Sequence, residues 1–140
     1  MATRAFLFDF DGLILDTETA SRAGWRWLYE QHGQTLPDDL WITVVGTHSS
    51  WDIMGHLEEL VGAPLERELW NERRYAHELS LLEAETLRPG LLEYFAYAQE
   101  QGLKRAIVSS ASRRWIDMHL LRLEQTVGWD AILTADRDST

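Results

Sequence analysis

The apolar run Ala5-Phe6-Leu7-Phe8 breaks off at two acids in Asp9-Phe10-Asp11-Gly12, and this abrupt change limits what the chain can fold into. Four apolar residues are too few for a helix, and their aromatic content reads as a buried strand. A second such run, Arg105-Ala106-Ile107-Val108, ends in Ser109-Ser110. A weaker third, Ala131-Ile132-Leu133-Thr134, follows Gly128-Trp129-Asp130. The intervening segments carry the helical period. Thr17 to His32 is expected as a helix with Trp25, Leu28 and Tyr29 inward and Gly33 as its stop. Ile53, Met54, Leu57, Leu60 and Val61 form one stripe ended by Gly62-Ala63-Pro64, and Leu65, Leu69, Ala76, Leu79 and Leu82 mark the next. Past Pro89-Gly90, Leu91, Phe95 and Ala98 lead to Gly102, and Ser112 is placed to cap a helix through Ile116, Leu120 and Leu123. Strands alternating with helices imply an α/β fold with a parallel sheet and right-handed crossovers. The helical stretch after the first strand is too long for one crossover, so it is expected as a separate unit.

A length of 140 residues fits one domain, or a small core with one insertion. With 45% hydrophobic and 26% charged residues the chain belongs to the globular class. It has no cysteine, which excludes disulfides and thiolate metal sites and suits a reducing cytoplasm. The first residues lack the apolar region of about 7–15 residues that a signal peptide needs. No run reaches the roughly 18 apolar residues of a membrane span. A formal charge of −10 argues against nucleic-acid binding and would repel anionic substrates unless a cation reversed the local sign.

Such a cation has an obvious place. Ligands in open parallel sheets bind beyond the carboxyl ends of the strands, where Asp9 and Asp11 fall. Two carboxylates this close repel unless a cation lies between them. A hard ion such as Mg²⁺ takes oxygen ligands, keeps several waters and bridges to phosphate. One carboxylate can then attack phosphorus while the other moves protons. A calcium loop of the EF-hand type is excluded, because it needs its glycine at position six and helices on both sides.

The string Asp9-Phe10-Asp11-Gly12-Leu13-Ile14-Leu15-Asp16-Thr17-Glu18 closely resembles the first motif of the haloacid dehalogenase-like phosphohydrolases. It looks most like the branch with a helical cap after that motif, which includes phosphoglycolate-phosphatase-like and β-phosphoglucomutase-like enzymes. The resemblance implies a Rossmann-like core from residues 1–16 and 87–140 and a helical cap from 17–86. It makes Asp9 the nucleophile and Asp11 the general acid/base. Mg²⁺ would be held by the Asp9 carboxylate and the Asp11 backbone carbonyl. Ser110 would bind phosphate, with Ser109 the alternative by position. His48 and Ser49, in a loop similar to the one that dips into the active site, would touch a small phosphorylated metabolite. Ser49 or Ser50 could instead open the helix of Ile53 and Met54 as its N-cap. Arg73 and Arg74 would either offer charge to substrate or lie solvated on their helix. Where mutase-like members carry a His and an Arg, this chain has Ser21 and Ser49, so hydrolysis is preferred to mutation of a sugar phosphate.

The family's third motif is a Lys, and its fourth supplies further acids for Mg²⁺. The chain's sole lysine, Lys104, precedes the second strand and cannot stand in by position. The 140 residues are therefore expected to be the front portion of a longer enzyme, impaired alone, with an exposed edge on the first strand. That edge would invite a homodimer, and in the alternative reading the chain is a non-catalytic fragment that dimerises through it.

Overall fold

The structure is a computed structural model that describes residues 2–45 and 51–136. The chain divides into two compact units, residues 1–16 with 85–140, and residues 17–84. The sequence places the second boundary at 86/87. Among the described residues no helix is long and apolar enough to cross a membrane.

The discontinuous unit is a three-stranded parallel sheet in the order β1-β2-β3, with strands Ala5–Phe8, Lys104–Val108 and Ala131–Leu133. Phe8 pairs with Ile107, and Ile107 with Ile132, so the strands run in step. Helix Leu91–Glu100 joins β1 to β2 within this unit, and helix Arg113–Arg122 joins β2 to β3. In chain order these are α5 and α6, because four helices of the described residues precede them in the other unit. The expectation of a buried first strand needs correction. Phe8 is buried, whereas Leu7 is 68% exposed. Side chains alternate across a strand, and the rings of Phe6 and Phe8 lie against Tyr94, Tyr97 and Phe95 of α5. Leu7 points the other way, and among the described residues β1 pairs only with β2.

The helical unit contains α1 (Thr17–Gln31), α2 (Asp38–Val44), α3 (Ile53–Val61) and α4 (Arg67–Leu82). Its core gathers Leu28, Tyr29, Leu36, Trp41, Met54 and Leu57, with Trp25, Trp27 and Trp70 packed against it. The Tyr29 hydroxyl donates to the Ile53 carbonyl at 3.0 Å and pairs with His56 Nδ1 at 2.9 Å. Burial, followed by the Asp52 charge, pushes this phenol up to about 12. Helix α3 stops at Gly62, whose φ of 76° a side chain would strain. Its N-cap is Asp52, which accepts the Gly55 N–H at 2.9 Å. The sequence expects Ser49 or Ser50 in that role, and both lie outside the described residues; the cap is Asp52, which immediately precedes the first helical turn. Helix α2, seven residues long after Pro37, is too short to announce itself by a repeating apolar stripe. Arg74 differs from both sequence readings: it lies over the Trp25 ring and pairs with buried Glu78 at 2.7 Å.

Candidate active site

Asp9 and Ser109 each follow the last residue of a strand, and those strands are parallel neighbours. Both segments therefore leave the sheet at the same carboxyl end. The turn after β1 is anchored by its apolar members, with Phe10, Ile14 and Leu15 wholly buried. The Phe10 carbonyl accepts from the amides of Leu13, Ile14 and Leu15, and Gly12 N–H donates to Leu15 O at 2.8 Å. A φ of 80° at Gly12 allows this closure. The turn is also tied to the segment before α5, through Arg88 N–H to Ile14 O at 3.1 Å and an ion pair of Arg88 with Asp16 at 3.3 Å.

With the apolar residues buried, the acids are left at the surface. Asp9 is exposed, and its Oδ1 accepts the Phe10 amide at 2.7 Å. Asp11 is half-buried, and its Oδ1 accepts the indole N–H of Trp115 at 2.9 Å. Nothing local in the sequence announces Trp115. The residue stands 104 positions from Asp11, and a lone tryptophan near a helix start reads as packing. Its ring meets His119 edge-on at 4.3 Å, and His119 in turn stacks on Phe10. His119 is buried, and among the described residues neither ring nitrogen has a hydrogen-bond partner. Burial, aided by the Arg122 charge and opposed by Asp11, depresses its proton affinity.

In the loop after β2 the two serines differ. The Ser109 hydroxyl accepts the Ala111 amide at 3.1 Å, while Ser110 is exposed. Ser112 caps α6 by accepting the Trp115 amide at 3.2 Å. The loop after β3 joins the same end, with Arg113 N–H donating to Asp136 at 2.7 Å. Lys104 opens β2 and so lies at the opposite end of the sheet. His48 and Ser49 lie outside the described residues. Asp9, Asp11 and Ser110 are thus brought to one end of the sheet.

The chain belongs to the haloacid dehalogenase-like hydrolases, whose family profile matches residues 3–138. It is 36% identical over 133 residues to YhcW of Bacillus subtilis, a candidate phosphatase, covering 95% of this chain and 60% of that one. Among solved structures it is similar to a candidate β-phosphoglucomutase from Thermotoga maritima, with a TM-score of 0.78 and 22% identity. That likeness covers 99% of this chain and 64% of the other. It is also similar to YfnB of Bacillus subtilis, a HAD-hydrolase solved bound to magnesium, with a TM-score of 0.63 and 21% identity over 96% of this chain and 66% of that one. The chain thus spans about 60% of the length of its curated relative, and the two structures support a Rossmann-like α/β fold.

Proposed function

We propose that the protein is a Mg²⁺-dependent phosphatase that hydrolyses a small phosphate monoester through an aspartyl phosphate on Asp9. The observation that carries this reading is the shared sheet end at which exposed Asp9, half-buried Asp11 and exposed Ser110 emerge. The donor set suits a hard cation, since both acids offer only oxygen. No third acid or imidazole joins them among the described residues. Mg²⁺ takes oxygen donors and needs few of them from the protein, so such a sparse set would suit it. Asp9 and the Asp11 carbonyl would hold it, and the ion would offset the charge between carboxylates and phosphate.

In the reaction a carboxylate oxygen of Asp9 attacks phosphorus as the bond to the leaving oxygen breaks. Asp11, in its acid form, gives that oxygen its proton. Asp11 then takes a proton from water, whose oxygen attacks phosphorus and frees Asp9 with release of inorganic phosphate. The Ser110 hydroxyl, exposed at that sheet end, donates to a phosphoryl oxygen.

The test is phosphate release from p-nitrophenyl phosphate with Mg²⁺ and with chelator. Asp9→Asn is expected to lower turnover at least about a thousandfold. Turnover in Asp9→Asn of the whole enzyme equal to a measurable turnover of the unsubstituted enzyme would remove the nucleophile assignment. The likeness to the Thermotoga β-phosphoglucomutase favours a second reading, a sugar-phosphate mutase. That activity would require a bisphosphate activator and interconvert sugar phosphates without net release.

A further inference from the structure

We propose that Trp115 is a positioning residue for Asp11, its indole N–H setting the orientation of the carboxylate that moves protons; this rests on the phosphatase reading above. The contact is direct, Nε1 to Oδ1 at 2.9 Å. Trp115 is itself held in place. Its amide donates to the Ser112 cap, and its ring packs edge-on against His119 at 4.3 Å. His119 stacks at 6.2 Å on Phe10, the residue whose carbonyl gathers three amides of the turn. The path therefore closes on itself: the turn that carries Asp11 supports the ring stack that orients the Asp11 side chain. A neutral donor suits this position. It fixes one carboxylate oxygen without adding a positive charge that would compete with a cation beside Asp9, as an Arg or Lys would.

A tryptophan that served only packing would be replaced well by another aromatic ring. Trp115→Phe keeps a ring against His119 and removes the N–H. Trp115→His restores it, because imidazole Nε2 lies as many bonds from Cβ as indole Nε1, in a five-membered ring of the same shape. Trp115→Phe is expected to lower kcat on p-nitrophenyl phosphate by about 10- to 100-fold with KM changed less than about twofold. Trp115→His is expected to recover most of that loss, and the thermal midpoint of both variants should stay near that of the unsubstituted chain. If the two variants fall equally, or if Trp115→Phe keeps full kcat, the N–H has no positioning role. A second readout needs no turnover. The ¹H–¹⁵N signal of the Trp115 indole should move in Asp11→Ala, and an unmoved signal overturns the contact. No phosphate release from the whole enzyme before any substitution would refute the phosphatase reading and the positioning role with it, while the indole signal, read in the 140-residue chain, would still decide whether the bond exists.

Discussion

In residues 17–84 the apolar side chains close on one another, and Leu28, Tyr29 and Leu57 are wholly buried. In the sheet unit the strands behave differently: Leu7 is 68% exposed, Leu133 58% and Val108 44%. What that unit buries instead is the acidic turn, through Phe10, Ile14 and Leu15, together with Ile107 and the inner face of α6 at Ile116 and Leu120. The contrast follows from geometry. A helix has one apolar stripe to cover, and three others of its own kind suffice. A strand has two faces and two edges, and α5 gives β1 cover on one face only. The candidate site thus rests on a firmly buried turn beside a strand that is half open.

Matched truncations break this contrast if it is wrong. Leu57→Ala removes a side chain with no exposure and is expected to cost about 2–5 kcal/mol, whereas Leu7→Ala should stay within about 0.5 kcal/mol. Urea unfolding followed by far-UV ellipticity measures both. A Leu57→Ala cost as small as that of Leu7→Ala would mean that the helical core is not the enclosed cluster described.

A smaller effect sharpens the account of the helical unit. Asp52 is held below the usual carboxylate range by the Gly55 amide first and then by Arg67, which also bonds Glu58. Its folded proton affinity is thus below its unfolded one. The stabilisation is complete above the unfolded value of about 4 and disappears as pH falls through the folded value. Asp52→Ala is expected to cost about 1 kcal/mol at neutral pH, mostly the lost cap. The gap from the unsubstituted chain should narrow on acidification, because protonated Asp52 loses the stabilisation that its lowered proton affinity represents. A gap that widens below pH 4 would contradict the direction of the shift.

The features legible in the sequence are those written locally. Gly33 and Gly62 end their helices at positive φ, and Ser112 opens α6, each recognisable from one residue and the period beside it. The parallel order of the strands was readable from their separation by helices. What escaped depends on distant partners. Arg74 turns inward because Trp25 and Glu78 receive it, and nothing in the sequence near Arg74 distinguishes it from exposed Arg73, which lies over the Trp70 ring instead. Trp115 reaches Asp11 only because β1 and β2 place their following loops together. The cap of α3 lay among several polar residues, and only the backbone decides for Asp52.

The smallest expected change concerns the open strand. Leu7→Lys should alter stability by no more than about 0.5 kcal/mol, because the side chain already stands in water. Its interest lies in association. Among the described residues β1 offers one edge to no other strand, and a lysine on such a strand opposes edge-to-edge pairing. If two copies of the chain meet through β1, sedimentation across a concentration series should show the dimer weakened by Leu7→Lys and left intact by a comparable change on the helical unit, such as Ile42→Lys, where the side chain is 71% exposed. Equal behaviour of the two variants would mean that the exposed edge recruits no partner. A large loss of stability in Leu7→Lys would instead mean that this face is covered in solution, and the contrast between the two units would have to be redrawn.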